Sequence, residues 1–405
     1  MSNITDVSIG GIDIKDIFPA SSKVDYKIFS RLLNEDRVVA SYKMYWLLGI
    51  LDEVSEGNSE IEFNRMIARM ITYAWYPIMQ YKLSFGSFDK LNLPVNYIAL
   101  KYSIPANYEE KKLLDFIYKS EDLMLKKMMK DLTHKVPYRL IAPFFSNKVE
   151  GKRVGVEKII TESSLEDNTC LYKIVKGKTN KIIINDGWKD YLKENYKVIK
   201  YWIYYKLICF LQKRNPNVPA IAFKLEAPRS RNLTKATKLW NQVIVAKGIN
   251  DIYTKKEFTS GNYKIHGVLS IDHFIPWSFV LHDEMWNLVP TFKNINSKKS
   301  DKLLTLKDYI GDFCDIQYKA FSYFCEKKMY KDLESYVEGL RINEPYNLNG
   351  YKGAEEFNRK LVECISPLHQ IARNQGFKVM DGIKEFILPN ATYVETVVKL
   401  QRKHI

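Results

Sequence analysis

Four polar side chains between residues 270 and 303 are of types that could carry out a metal-assisted hydrolysis: Asp272, His273, Asn287 and Asn296. The oxygens of Asp and Asn are hard ligands that suit Mg²⁺ or Mn²⁺, and such an ion takes its remaining ligands from water and from a substrate phosphate. Asp272 and Asn296 are therefore the candidate metal ligands. A histidine that is neutral at physiological pH can take a proton from water, which makes His273 the candidate general base.

Two short strands and a helix are expected to position these residues. The run SIDHFI at 270–275 is rich in apolar and β-branched residues, and NLVP at 287–290 predicts a second strand that its proline ends. The segment VLHDEMW between them predicts a loop, and TFKNINSKKSDKL predicts an exposed helix. Neighbouring residues on a strand point to opposite faces. Asp272 and His273 can therefore face one site only if the backbone twists or the metal lies over the strand edge.

Three stretches of this region resemble the HNH endonuclease family: DHFIPWS at 272–278, WNLVP at 286–290 and NSKK at 296–299. The resemblance extends over residues 250–303 and implies a ββα-metal fold, in which a hairpin is followed by a helix. It implies that His273 is the general base and that Asp272 and Asn296 bind one divalent ion. It also implies that Asn287 pins the loop.

Two further features concern the edges of this module. The run IYTKKEF at 252–258 resembles the Tyr-Thr-Gly-Lys-type strand that opens HNH modules. Many family members hold a structural zinc with C-x-x-C pairs, and this sequence has Phe292 and Ile295 where the second pair would lie. Apolar residues there imply that packing replaces the metal, so no structural zinc is expected. The catalytic set is complete, which favours an active enzyme.

Several neighbouring side chains have two interpretations each. Lys299 lies one helical turn beyond Asn296 and could contact a phosphate oxygen as part of the catalytic set, or could be a solvated lysine on an exposed helix. The run His282–Glu284 could bind a metal but is better interpreted as surface polar residues. Trp277 and Trp286 could stack on bases, although a place in the hairpin core is the favoured interpretation.

The charge of the chain favours a polyanionic partner. The formal net charge is +15 and the pI is about 9.2, and basic proteins bind nucleic acid through counterion release. A lysine-rich, solubilising surface is the alternative. The candidate nucleic-acid contacts are Arg229, Arg231, Lys235 and Lys238 upstream of the motif, and Lys298 and Lys302 within it.

The chain as a whole is predicted to be mainly α with small β elements (α+β), with helical N- and C-terminal regions around the HNH module. We expect a helical N-terminal domain over 1–147, a small β-hairpin sheet with a long basic helix and a linker over 148–248, the HNH module over 249–304, and a helical region over 305–405. The runs VEKIITES, CLYKIV and KIIIND predict short strands, the last two joined by a turn at KGKTN. A single long helix is predicted from Trp188 to Gln212.

Cysteine usage and hydropathy exclude other classes of protein. The chain has 5 cysteines, none spaced as C-x-x-C, so neither a disulfide framework nor a cysteine-rich zinc site is predicted. No stretch is long and apolar enough for a membrane span, and the first residues do not have the pattern of a secretory signal. A cytoplasmic protein with no membrane partner is expected.

Three functions fit these observations. The first is a divalent-metal-dependent endonuclease acting on DNA, with RNA as an alternative substrate. The second is a nuclease subunit of a larger complex that stays silent until a partner or a ligand activates it. The third is a nucleic-acid-binding protein that does not cut. The resemblance further implies a bacterial anti-phage defence or mobile-element system.

Overall fold

The computed structural model describes residues 18–34, 38–152, 154–227 and 231–380. Within these ranges the protein is mainly helical with small sheets, which confirms the predicted fold class. The α-helices are α1 Tyr26–Phe29, α2 Tyr42–Ser55, α3 Phe63–Met79, α4 Asn92–Tyr102, α5 Glu110–Tyr118, α6 Leu123–Leu132, α7 Val136–Arg139, α8 Ser146–Val149, α9 Val156–Glu166, α10 Asp186–Glu194, α11 Tyr196–Arg214, α12 Thr234–Lys247, α13 Ser260–His266, α14 Trp277–Val280, α15 Lys293–Lys299, α16 Leu306–Glu326, α17 Tyr330–Leu340 and α18 Tyr351–Asn374. The strands are β1 Glu60–Glu62, β2 Tyr172–Val175, β3 Lys181–Ile184, β4 Leu269–His273, β5 Leu288–Phe292, β6 Leu303–Leu304 and β7 Val379–Met380.

The chain divides into two compact units. One contains Met1–Pro216 and Ala220–Pro228, and the other contains Asn217–Pro219 and Arg229–Ile405. Helix α12, which lies in the segment predicted at 148–248, is thus grouped with the candidate site and the C-terminal helices. That the four predicted segments are separate domains stays a prediction.

The first unit combines helices with a small antiparallel sheet in the order β1-β3-β2. Strands β2 and β3 pair from Tyr172 opposite Ile184 to Val175 opposite Lys181, which confirms the hairpin predicted around KGKTN. The strand predicted at VEKIITES is wrong, because this run lies in helix α9. Val156 and Ile160 lie four residues apart and are both fully buried, so the apolar spacing is helical although the residues are β-branched.

The single long helix predicted from Trp188 to Gln212 is also wrong, because two helices occupy this stretch. Helix α10 ends at Glu194 and α11 begins at Tyr196. The side-chain amide of Asn195, between them, donates a hydrogen bond of 2.9 Å to the carbonyl of Tyr191. An asparagine that binds nearby backbone groups in this way favours a helix end over a helix interior.

The second unit contains the hairpin β4-β5, with Asp272 opposite Val289 and His273 opposite Leu288. Helix α15 follows β5 directly and contacts both strands, as the strand-loop-strand-helix prediction requires. The second strand does not end at Pro290, as predicted, but continues to Phe292. A proline is tolerated here because each strand of a two-stranded sheet has an unpaired edge.

Helices from the C-terminal part of this unit support the hairpin. The ring of Phe274 stacks on that of Phe313 in α16, with centroids 4.0 Å apart. The side chain of Gln317, also in α16, donates a hydrogen bond of 2.7 Å to the carbonyl of Leu288. Strand β6 pairs in parallel with β7. The hairpin therefore rests on a packed helical support and is not an isolated ribbon.

Among the residues that the structure describes, none of the helices combines the length and the apolar character that a membrane crossing requires.

Candidate active site

The Asp272 side chain lies buried on β4 between two donors. Asp272 is only 4% exposed. Its Oδ1 and Oδ2 lie 3.2 and 3.0 Å from Nζ of Lys299. The hydroxyl of Tyr253 donates a hydrogen bond to Oδ2 of Asp272. Burial, together with the charge of Asp272, raises the pKa of Tyr253 well above its usual range, so the phenol keeps its proton. One ammonium group and one phenol thus hold the carboxylate.

Tyr253 reaches Asp272 from a turn, so the strand predicted over residues 252–258 is wrong. The carboxylate of Asp251 accepts hydrogen bonds from the Thr254 amide at 2.9 Å and from the Thr254 hydroxyl at 2.5 Å. An Asp that binds the backbone a few residues on is a typical turn former. Lys255 has a φ of 62°, at the place where the Tyr-Thr-Gly-Lys pattern has a glycine, the residue that adopts such angles at least cost.

His273 contacts the loop that follows β4. Its Nε2 lies 2.8 Å from Oδ1 of Asp283, and His273 is 5% exposed. This hydrogen bond, reinforced by the charge of Arg231, lowers the pKa of Asp283, so its carboxylate is ionised at neutral pH. An ionised carboxylate only accepts hydrogen bonds, so a neutral His273 carries its proton on Nε2. The other ring nitrogen, Nδ1, is then the one that can accept a proton from water.

Asp272 and His273 have different side-chain neighbours, as alternation along a strand predicts. Asp272 meets Tyr253 and Lys299, whereas His273 meets Asp283. The two residues nevertheless share one neighbour, because Nζ of Lys299 also donates a hydrogen bond of 2.8 Å to the backbone carbonyl oxygen of His273.

Asn287 is fully buried and binds the chain just after β4. Its Oδ1 accepts a hydrogen bond of 2.8 Å from the amide of Ile275, and its Nδ2 donates one of 2.9 Å to the carbonyl of Ile275. The backbone carbonyl of Asn287 accepts a further bond of 2.8 Å from the amide of Phe274. These contacts connect the start of β5 to the segment that leaves His273.

Asn296 lies on α15 against β4. Its Nδ2 donates hydrogen bonds to Oγ of Ser270 at 2.8 Å and to the carbonyl of Ile271 at 3.0 Å. Ser270 and Asp272 are two positions apart on the strand and share one face. Asn296 therefore lies beside the face that carries Asp272. Both hydrogen bonds use Nδ2, which orients Oδ1 away from these two acceptors.

The oxygens of Asp272 and Asn296 fit a divalent ion of the Mg²⁺ type. Such an ion is commonly bound by one or two carboxylates and keeps several waters, with substrate phosphates as further ligands. Residues 18–34, 38–152, 154–227 and 231–380 contain no group of three or more His, Cys, Asp or Glu that could hold a metal. An ion at Asp272 would also have to share the carboxylate with Lys299 and Tyr253, which both bind it.

Residues 251–304 match a known protein family. The sequence profile of the HNH endonuclease family matches residues 251–304. These residues are an HNH domain. The matched residues include the turn with Tyr253, the β4-β5 hairpin and helix α15. The match confirms the resemblance and supports a nuclease that acts on nucleic acid. HNH nucleases generally use a divalent metal ion. Comparisons with curated proteins and with solved structures gave no match.

Three residues of the HNH domain have contacts that the sequence did not indicate. Lys299 is fully buried, so its interpretation as a solvated lysine is wrong. Asp283 is exposed in its loop, as predicted for a surface residue, but its carboxylate also binds His273, a contact that the sequence did not indicate. Tyr253 lies within the stretch that resembles the opening of an HNH module, but the resemblance implies no role for it. Its aromatic ring among polar turn residues was the one available signal.

The six basic residues predicted to contact nucleic acid differ in their surroundings. The guanidinium of Arg231 lies over the Trp277 ring at 4.5 Å, and Trp277 is half-buried, whereas Trp286 is buried as predicted. Lys235 forms an ion pair of 2.7 Å with Asp332. Lys238 and Lys298 are exposed, and Nζ of Lys302 approaches the carbonyl of Lys298 at 3.4 Å. Arg229 lies outside the described residues.

The positions where many HNH proteins have cysteines are packed with apolar side chains. Phe292 is fully buried and Ile295 is 2% exposed. The ring of Phe292 contacts those of Phe258, Tyr263 and His266, with centroids 5.0, 5.9 and 5.2 Å away. This aromatic cluster joins α13 to the end of the hairpin.

Replacing Asp283 with asparagine is expected to lower the rate of nucleic-acid cleavage by about 10- to 100-fold, the usual effect of losing a partner that orients a catalytic histidine or ligand. An asparagine can either donate or accept, so it no longer fixes the His273 tautomer. Cleavage rates and the ¹⁵N ring signals of His273 measure the two effects. Glu284→Gln, a change at the neighbouring carboxylate, is the matched control. A wild-type rate with an unchanged tautomer in Asp283→Asn would contradict this role.

Proposed function

We propose that this protein is a divalent-metal-dependent HNH endonuclease that hydrolyses phosphodiester bonds in DNA. In this proposal His273 is the general base, and Asp272 and Asn296 hold the metal, which is Mg²⁺ or Mn²⁺. The observation that supports it best is the arrangement of these three residues on β4 and α15 of the HNH domain.

The chemistry of each residue follows from its contacts. Nδ1 of His273 takes a proton from the water that attacks phosphorus, while Asp283 holds the Nε2 proton and stabilises the charged ring that results. Asn287 fixes the backbone at Ile275 and so limits the movement of the strand end that carries His273. A bound divalent ion would stabilise negative charge on the phosphoryl and leaving oxygens.

Basic residues on the same unit support a nucleic-acid substrate. Arg231 is exposed, and its charge contributes to lowering the pKa of Asp283, the hydrogen-bond partner of His273. Lys238 and Lys298 are exposed cations on α12 and α15. We propose these three as phosphate contacts, since exposed Lys and Arg supply most of the salt-dependent affinity for DNA. Lys235, which pairs with Asp332, and Lys302, whose Nζ approaches the carbonyl of Lys298, are further candidates.

One observation favours a second candidate function, a nuclease that stays silent until a partner or a ligand activates it. Both oxygens of Asp272 already contact Lys299, and Tyr253 binds Oδ2 as well. A carboxylate occupied in this way is a poor metal ligand until one donor moves. A role in bacterial defence or in a mobile element, and a cytoplasmic location, stay predictions from the resemblance.

Cleavage of a supercoiled plasmid tests the proposal. We expect nicking or linearisation with Mg²⁺ or Mn²⁺, none in EDTA, and a large loss in Asn296→Ala. Asn294→Ala, an exposed asparagine on the same helix, is the matched control and should cut like the wild type. Folded wild-type protein that binds DNA but cuts nothing with any divalent ion would contradict the first function. Cutting that appears only after a partner or a ligand is added would favour the second, and cutting of RNA alone would contradict the DNA assignment.

A further inference from the structure

We propose that Lys299 is an internal counter-cation that competes with the divalent ion for Asp272, so that metal uptake releases Lys299 from the buried site. This inference rests on the proposed function in one respect, the assignment of Asp272 as a metal ligand. It adds to that function an account of how the HNH domain stays folded without metal and of what limits metal binding.

The contacts of Lys299 support the first half of the proposal. The residue is fully buried, and its Nζ lies 3.2 and 3.0 Å from the two oxygens of Asp272 and 2.8 Å from the carbonyl oxygen of His273. Lysine is almost never fully buried unless it is paired. Its ammonium group here has oxygen neighbours of the kind that a hard metal ion takes. In the metal-free protein Lys299 therefore neutralises Asp272 as an ion would.

The charge at Asp272 supports the second half. A Mg²⁺ ion bound to Asp272 would lie about 2.1 Å from a carboxylate oxygen. Since Nζ of Lys299 is 3.0 Å from Oδ2, the ion and the ammonium group would lie within about 5 Å of each other. Two cations this close repel strongly in a buried environment. One carboxylate cannot neutralise both, so the ion and Lys299 compete for it.

The position of Lys299 in the helix allows its release. It is the last residue of α15, and Ser300, which follows, is exposed and has a φ of 51°. In this proposal the Lys299 side chain rotates so that Nζ leaves Asp272, at a helix end where the next residue is exposed. The same movement breaks the bond from Nζ to the carbonyl of His273. Metal uptake is thereby coupled to the end of the strand that carries the general base, and the released ammonium becomes available to a phosphate.

Direct metal binding tests this competition without a cleavage assay. Mn²⁺ affinity is measured by electron paramagnetic resonance for the wild type, Lys299→Gln and Asp272→Asn. Glutamine can still donate to the carbonyl of His273 but has no charge, so we expect Lys299→Gln to bind Mn²⁺ at least about tenfold more tightly. Lys293→Gln, which removes an exposed lysine at the other end of α15, is the matched control and should bind like the wild type.

A second measurement uses the wild-type protein and decides the question if Lys299→Gln does not fold. Amine-reactive labelling followed by mass spectrometry reports the accessibility of each lysine. We expect saturating Mg²⁺ to raise the labelling of Lys299 several-fold and to leave that of Lys293 unchanged. Lys299 labelling that stays low when Mg²⁺ is bound would show that the ammonium group remains in place.

The outcomes separate this inference from the proposed function. If Mn²⁺ binding depends on Asp272 but Lys299→Gln binds no more tightly than the wild type, the competition is refuted and the metal assignment survives. If the wild type and Asp272→Asn bind Mn²⁺ equally, or if none of the three proteins binds it, the metal assignment fails and this inference fails with it. Tighter binding by Lys299→Gln together with metal-dependent labelling of Lys299 supports both.

Discussion

Replacing His273 with alanine is expected to lower the rate of plasmid cleavage by about 10²- to 10⁴-fold, the range that a positioned general base contributes. The variant should stay folded, because the described side-chain hydrogen bond of His273 goes to a carboxylate that is itself 36% exposed. The bond from Lys299 to the His273 carbonyl uses the backbone and survives the change. Single-turnover cleavage with saturating Mg²⁺ or Mn²⁺ measures the loss.

The His273 variant has two internal checks. His134→Ala replaces an exposed histidine far along the chain and should leave cleavage unchanged. The pKa of Asp283 should rise toward its ordinary value in His273→Ala, because the hydrogen bond from His273 is the largest cause of its lowering. A ¹³C titration of the carboxyl signal detects this. Cleavage at the wild-type rate would refute the general-base assignment, whereas an unchanged Asp283 pKa would refute the contact.

The hairpin and the helix of the HNH domain could be predicted because their sequence signals are local. Alternating and β-branched residues around Asp272 and Leu288 predict strands, and the polar run around Asn296 predicts a helix. The prediction that Asn287 pins the loop rests on the resemblance alone; in the structure its side chain forms two hydrogen bonds with the backbone of Ile275.

The partners of the candidate residues could not be predicted because folding brings them from distant positions. Tyr253 lies 19 positions before Asp272, and Lys299 lies 27 positions after it. No periodic pattern connects such pairs. Asp283 is only 10 positions from His273, but a polar residue in a loop has no signal that distinguishes a solvated carboxylate from one bound to a histidine. The position of Lys299 one helical turn beyond Asn296 indicated that it lies near the site, but not that it contacts Asp272.

Two predictions of secondary structure outside the HNH domain are wrong, a strand around Val156 and a single helix across Asn195. The run that begins at Val156 is rich in β-branched residues, which favour strands. Its buried residues recur at helical spacing, however, and the run forms helix α9. The break at Asn195 depends on one side chain that binds the preceding turn. Propensity is a weak signal in both cases, since tertiary packing and local hydrogen bonds override it.

Replacing Asn287 with alanine is expected to destabilise the HNH domain and to reduce cleavage as a consequence. The backbone amide and carbonyl of Ile275, a fully buried residue, are both bound by the Asn287 side chain. Alanine would leave both groups without that partner, and a buried polar group that loses its partner costs about 1–3 kcal/mol. Chemical denaturation and hydrogen exchange at the Ile275 amide measure the effect, and Asn294→Ala is again the matched control.

The temperature dependence of the Asn287 variant distinguishes positioning from catalysis. Because Asn287 binds backbone groups of this chain, its loss should act through the fraction of molecules in which the Ile275 segment is in place. Cleavage by Asn287→Ala should therefore approach the wild-type rate at low temperature and fall steeply as the domain loosens on warming. A residue that touches the reacting atoms would instead impose a loss at every temperature, as we expect for His273→Ala. A temperature-independent loss in Asn287→Ala, with unchanged exchange at Ile275, would move Asn287 from the scaffold to the chemistry.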